Sequence, residues 1–274
     1  MPTTAKSYYL DAYFDRGSMF APLGFKAADV KKADVILIGH GHFDHMSDAA
    51  SVGAQTGAMV VGAPLTVVKL QTQNLDAKQI RTVTGRGGEV IKFAKFQIEP
   101  ILGRHGESPA NVTSAFNQAL KSVTPPMTAE ETAEAAAIRS LGTSDPRIRE
   151  EGTITYLITL DNGFRIIYRD SGGAITEFEK AAMQRIGRVD IAIAAVAADF
   201  LPRLTVAQAL EYLRLYKPAV YIPAHHDAPL NGLWRTTEPI FQALKDEDPS
   251  LITYSKQYRE PVCIDTEKKS KPGK

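Results

Sequence analysis

Cysteine is almost absent from this 274-residue chain, and the single Cys263 can form no intrachain disulfide. No Cys pair exists to bind zinc or to cycle as a dithiol, and Cys263 reads as a small buried hydrophobe. Long apolar runs are missing as well. The longest, Val189 to Ala198, is interrupted by Asp190 and bounded by Asp199. It falls far short of the ~20 residues that cross a bilayer, so no membrane span is expected. The stretch Met1 to Tyr8 holds one Lys and no apolar core of the kind an export signal needs, which makes the cytoplasm the expected location. Neither charge dominates. Lys and Arg number 32 against 31 Asp and Glu. No broad positive surface therefore advertises a nucleic acid, and the expected partner is a small-molecule substrate.

What is present, 44% apolar and 23% charged residues, is the composition of a globular chain with a sizeable core. A single domain over 1–267 is favoured, followed by a Lys- and Pro-bearing tail, 268–274, of disordered type. Short apolar runs alternate with amphipathic stretches, the pattern of an α/β protein. Ala33 to Ile38 (ADVILI) reads as a buried strand. Ser47 can cap a helix through Gln55 that closes at Gly57, Ala58 to Gly62 makes a second strand, and Pro64 opens the next helix. From Glu89 to Ile101 apolar and polar residues alternate, which predicts strands with one buried face and a mixed sheet.

Thr153 to Leu160 and Phe164 to Arg169 form a hairpin joined at Asp161-Asn162-Gly163, where the Asn-Gly step supplies the positive φ values of a tight turn. A helix from Ile175 to Ile186, a strand from Val189 to Val196, a helix from Val206 to Leu215 capped by Thr205 and a strand from Ala219 to Pro223 repeat the layered plan. One segment breaks the rhythm. Glu107 to Glu151 is rich in Ser, Thr, Pro and Ala, and within it Thr128 and Glu131 make a capping box ahead of an Ala-rich helix running to Leu141. It reads as a helical insertion at about 107–151, either a surface excursion or a lid or wall beside a site.

The histidines point to the chemistry. There are six, and three of them fall in Gly-His-Gly-His-Phe-Asp-His, directly after ADVILI. From the composition, a His-x-His-x-Asp-His string arises by chance in roughly 2 of 10,000 chains of this kind. The other three also follow predicted strands: His105 in LGRHG, and His225 with His226 in YIPAHHD. Residues two apart in an extended segment point the same way, so His40 and His42 can grip one metal ion while the turn at Phe43 swings Asp44 and His45 toward a second. A set made of imidazoles and carboxylates suits two divalent ions, zinc, iron or manganese, and does not choose among them. Asp170 ends the strand FRIIYRD and is followed by Ser171, Gly172 and Gly173. Alone it reads as a turn or helix-capping Asp, but beside these ligands it is the candidate for the carboxylate between two ions.

These residues resemble the metallo-β-lactamase superfamily. The match runs through His40, His42, Asp44, His45, His105, Asp170 and His225, which fill all seven ligand positions, and it spans about Asp11 to His225. The resemblance implies an α/β fold, an αββα sandwich of two mixed β-sheets flanked by helices. It implies that His40, His42 and His105 hold one metal, that Asp44, His45 and His225 hold the other, and that Asp170 bridges. HGHFDHMSDAASVGAQTGAMVVG, the hairpin leading to Asp170, and PAHHD are similar to the metal-dependent hydrolases related to ascorbate-6-phosphate lactonase and N-acyl-phosphatidylethanolamine phospholipase D. In that branch an Asp-Pro follows the third strand; here Tyr9 to Asp15 reads YLDAYFD, in which Asp11 fits and Ala12 stands where the proline would be. The branch also has an N-terminal strand pair, for which about eight residues are present here.

The function this implies is a binuclear hydrolase in which a metal-bridging hydroxide attacks a lactone, an amide or a phosphoester. Asp44 would orient the hydroxide. His226 either donates a proton to the leaving group or packs on the opposite face from the metals. Arg104 and Arg169 flank His105 and Asp170, with a substrate-phosphate contact or a supporting role open to them, and Trp234 and Leu233 line a pocket or the core. The alternative is an iron-dependent oxidoreductase of the same fold, sulfur dioxygenase-like. A nuclease is disfavoured by the balanced charge and by the MSDAA that follows His45.

Overall fold

A buried parallel strand needs apolar residues on both faces, and the run ADVILI meets that need. In a computed structural model it forms β2 (Val35–Leu37), whose three residues are all buried. The structure describes residues 7–18, 20, 23–106, 126–196, 202–226, 237–254 and 260–267, with 202–204 given by backbone alone. The tail 268–274, residues 107–125 of the insertion, Leu233 and Trp234 lie outside the described residues. Two compact units divide the chain, Met1–Thr84 with Thr128–Ile154, and Gly85–Met127 with Thr155–Lys274.

In the first unit β2 pairs with β1 (Tyr8–Leu10) and β3 (Met59–Gly62), and β3 pairs with β4 (Ile80–Thr82). All three pairings are parallel, so this four-stranded sheet is not mixed as expected. A helical segment lies in each connection, giving the chain the crossover that parallel pairing requires. The helices are α1 (Phe43–Met46), α2 (Ala49–Thr56) and α3 (Pro64–Gln71), with α4 (Ala129–Ser140) and α5 (Ile148–Glu151) from the later segment. Ser47 does not cap α2. It closes α1 instead, and Asp48 takes the N-cap position while turning its carboxylate to the Phe14 and Asp15 amides, at 2.6 and 3.0 Å. Gly57 ends α2 with φ of 75°, as its sequence position foretold. The core of this unit gathers Val30, Ile36, Ile38, Met46, Val52, Val60 and Leu70. Burying each such side chain contributes about 1.5–3 kcal/mol.

The second unit carries a seven-stranded mixed sheet ordered β11-β10-β9-β8-β7-β6-β5. Its strands are β5 (Ile91–Lys92), β6 (Phe96–Gly103), β7 (Thr153–Leu160), β8 (Arg165–Arg169), β9 (Ile191–Ala195), β10 (Val220–Ala224) and β11 (Ile252–Thr253). β5 with β6 and β7 with β8 are antiparallel hairpins; β8, β9, β10 and β11 are parallel. The β7–β8 hairpin closes differently from the expectation. Gly163 alone has positive φ, at 83°, while Asn162 uses its Oδ1 to accept the Phe164 N–H at 3.0 Å. A three-residue turn with one left-handed residue serves where a two-residue turn would need two.

Helices α6 (Glu177–Ile186), α7 (Pro202–Tyr216) and α8 (Glu238–Glu247) complete this unit. Thr176 caps α6 through a reciprocal box with Glu179. Thr205 lies inside α7 rather than at its start, because the helix already begins at Pro202, a residue suited to a first turn. Cys263 is exposed, contrary to its reading as a core residue, because it follows the last strand rather than sitting within the sheet. Ile101, Leu157, Ile167, Met183, Ala192, Tyr212 and Tyr216 form the core. No helix among the described residues is long and apolar enough to cross a membrane.

Candidate metal centre

The histidine string occupies the turn that leaves β2. Met46 N–H reaches the His42 carbonyl at 3.2 Å and Ser47 N–H the Phe43 carbonyl at 3.0 Å, so Phe43–Met46 makes one helical turn. That turn brings the rings together. His40 Nε2 and His42 Nδ1 stand 2.8 Å apart, and the His40 and His45 ring centroids are 4.1 Å apart. His45 Nε2 faces Asp44 Oδ2 at 3.7 Å. His40 and His45 are buried, and His42 and Asp44 half-buried. In the first unit the structure therefore brings together all four residues of the string.

Asp11 completes this group. Its Oδ2 meets His45 Nδ1 at 2.6 Å, its Oδ1 accepts the Gly39 N–H at 2.9 Å, and its own N–H donates to the Leu37 carbonyl. A carboxylate on Nδ1 fixes the proton there and leaves Nε2 as the lone-pair donor. Asp11 adopts φ of 60°, a left-handed conformation that Asp tolerates better than most residues. Sequence reading matched Asp11 to a family position without giving it this role. The available signal was its place directly after an early strand.

The segment 128–154 buttresses the same turn. Thr143 N–H donates to the Gly41 carbonyl at 2.7 Å, and Ile154 N–H donates to the Gly39 carbonyl at 2.7 Å. Gly142 lies so close that an added Cβ would stand 2.2 Å from the Phe43 nitrogen. Glu151 accepts the Leu65 N–H at 2.9 Å, satisfying an unpaired donor in the first turn of α3. Residues 142–154 are thus part of the frame around the histidines, while the helix Ala129–Ser140 before them has no buried residue.

In the second unit each candidate ligand sits one or two residues beyond a strand. β8 and β10 both run parallel to β9, with Arg169 opposite Ala194 and Ala195 opposite Ala224, so Asp170 and His225 leave the sheet at one edge. Asp170 is buried; His105, His225 and His226 are half-buried. His225 has φ of 58°, an uncommon left-handed conformation for His that turns the chain sharply at the end of β10. The turn after Asp170 packs on the turn that holds His105. Gly106 N–H donates to Ser171 Oγ at 2.9 Å, and a Cβ on Gly173 would stand 1.9 Å from the Arg104 carbonyl oxygen. Arg104 is exposed, whereas Arg169 is fully buried and holds a carboxylate of its own, Glu179, at 2.8 Å. A substrate contact from Arg169 is thereby removed.

Comparisons with known proteins agree with this picture. The family model described as "Beta-lactamase superfamily domain" matches residues 7–226. A UPF0173 metal-dependent hydrolase of Carboxydothermus hydrogenoformans is 24% identical over 200 residues, covering 71% of this chain and 67% of the relative. One from Thermoplasma volcanium is 31% identical over 87 residues, covering 32% of this chain and 37% of the relative. Among solved structures, Igni18, a metallo hydrolase of Ignicoccus hospitalis, aligns with TM-score 0.56 and 15% identity over 84% of this chain and 78% of that one. The metallo-beta-lactamase fold protein YhfI of Bacillus subtilis aligns with TM-score 0.52 and 11% identity over 93% and 87%. With its family model covering 7–226, its two sheets flanked by helices and its neighbours of metallo-β-lactamase fold, the chain belongs to the beta-lactamase superfamily.

Proposed function

We propose that this chain, a metal-dependent hydrolase by family, works with two divalent ions. As the family resemblance implies, His40, His42, Asp44, His45, His105, Asp170 and His225 would hold them, with Asp170 as the bridging carboxylate. The observation that carries the reading is the donor set on the β2 turn. Three imidazoles and a carboxylate face one another, and the ring of His45 is locked by Asp11 with Nδ1 engaged and Nε2 turned toward Asp44. Imidazole and carboxylate together suit zinc, manganese or iron, with zinc the first choice.

Two such ions, when bound, bring the ionisation of water to near neutral pH and polarise a carbonyl or phosphoryl bond. The side chains do the rest. Asp44, beside His45, would accept a hydrogen bond from the attacking water and so orient it. Asp11 keeps the His45 ring from rotating. His226 delivers a proton to the leaving group of a lactone, amide or phosphoester.

Metal analysis by plasma mass spectrometry, after mild purification and again after chelation and refilling, joined to a panel of lactones, amides and phosphoesters, tests the reading. Two metals per chain with hydrolysis that chelation removes are expected. At most one metal under saturating supply would overturn the two-ion reading. Iron alone, with oxygen consumption and no hydrolysis, would replace it by the oxidoreductase.

A further inference from the structure

Glycines at 172 and 173 make the turn after Asp170 intrinsically loose, since neither residue restricts its own backbone. Yet Asp170 must be held still if it is to serve two ions, and the structure shows what holds it. We infer that Arg169 is a positioning residue for Asp170: from beneath the turn 171–174 its guanidinium, with the side chains of Tyr212 and Gln208, binds every carbonyl of that turn. The inference rests on the reading of Asp170 as a metal ligand.

Neighbours in an extended segment face opposite ways, and Arg169, the last residue of β8, turns its side chain to the fully buried side. Arg169 Nη1 donates to the Ser171 carbonyl and, at 2.6 Å, to the Tyr212 hydroxyl; Nη2 donates to the Ala174 carbonyl at 3.2 Å. Tyr212 in turn donates its hydroxyl hydrogen to the Gly173 carbonyl at 2.7 Å, and Gln208 Nε2 donates to the Gly172 carbonyl and, more weakly, to that of Gly173 at 3.4 Å. The guanidinium also lies over the Tyr212 ring at 4.6 Å. Its charge is met by Glu179, whose Oε1 accepts from Arg169 Nε at 2.8 Å and from the Tyr216 hydroxyl at 2.6 Å. Glu179 Oε2 accepts the Thr176 N–H at 2.8 Å and so ties the network to the start of α6. An apolar side chain of similar volume would fill this space without a charge to desolvate. Arginine earns the position because its planar fork reaches two separated carbonyls at once, which a lysine ammonium cannot do.

Arg169→Lys is therefore the discriminating variant, since it keeps a cation for Glu179 and loses the bridge from Ser171 to Ala174. Tyr212→Phe removes one hydroxyl from the same network. Both are compared with Asp170→Asn by zinc titration against a chromophoric chelator, by the absorption spectrum of the cobalt-substituted protein, and by thermal unfolding of the metal-free protein. We expect both variants to keep their circular dichroism, to bind one ion about 10- to 100-fold more weakly, and to shift the cobalt spectrum. A lowered melting temperature with wild-type affinity and spectrum would overturn the inference and leave Arg169 as a structural residue. Should Arg169→Lys fail to fold, Tyr212→Phe decides by the same readouts. Wild-type zinc affinity and cobalt spectrum in Asp170→Asn would instead overturn the ligand reading itself, and with it this inference.

Discussion

Asp11 binds His45 Nδ1 at 2.6 Å and the Gly39 amide at 2.9 Å, so one carboxylate sets both the ring and the backbone of the histidine turn. Asp11→Asn isolates the effect, because Asn also tolerates the φ of 60° at this position. It is expected to keep its fold and to bind zinc about 10- to 100-fold more weakly, as loss of an outer partner of a metal-bound histidine does. Unchanged affinity in a chelator competition would show that His45 holds its orientation without Asp11.

His42→Ala and Asp170→Asn should each abolish hydrolysis while leaving the far-ultraviolet circular dichroism intact. The cores around Ile36 and Val60 and around Ile167 and Ala192 do not depend on these side chains. Near-wild-type activity and metal content in Asp170→Asn would make Asp170 a turn residue only.

The closeness of Gly142 to the Phe43 backbone makes the segment after α4 structural. Gly142→Ala should cost about 1–3 kcal/mol, as overpacking commonly does, and should weaken metal binding by displacing His42 and Asp44. Gly57 offers a contrast, since a Cβ there meets nothing within 4 Å and any cost comes from its φ of 75°. Replacing residues 128–143 by a Gly-Ser bridge is expected to lower metal occupancy as well as change KM. Retained occupancy would return the segment to the role of a lid. Urea denaturation and metal titration of each variant provide the check.

Glu179 gives a pH dependence with a definite sign. Burial alone would raise its carboxyl, but the charge of Arg169 and hydrogen bonds from Arg169, Tyr216 and Thr176 hold it below the ordinary 4.5. A lowered folded value adds stability that is fully present above 4.5 and is lost as pH falls through the folded value. Metal-free protein should therefore lose stability to urea as the medium is acidified below 4.5. Glu179→Gln should remove much of that slope and cost about 3–5 kcal/mol at neutral pH, because it leaves Arg169 buried without its counter-charge. A stability curve in acid that is the same for both proteins would show that Glu179 contributes no such linkage.

Much of this protein was legible in its sequence, wherever the governing interaction is local. The apolar run ADVILI foretold a strand buried on both faces, and the Thr128–Glu131 capping box foretold the start of α4, because each depends on residues within a few positions. The histidine string was legible as a metal-ligand pattern, and its four residues do gather on one turn, while His105, Asp170 and His225 each follow a strand as read. What the sequence could not settle depends on partners distant along the chain. Ser47 was read as the cap of α2, but the N-cap position is taken by Asp48, whose carboxylate accepts the distant Phe14 and Asp15 amides instead of capping the helix. For Arg169 a substrate contact and a supporting role both stood open until the tertiary structure set Glu179, Tyr212 and Tyr216 around it. Gly142 and Asp11 took their roles in the same way. Local propensity and spacing act within a turn or a strand, whereas the destination of a charged or small side chain is fixed by which distant backbone the fold brings beside it.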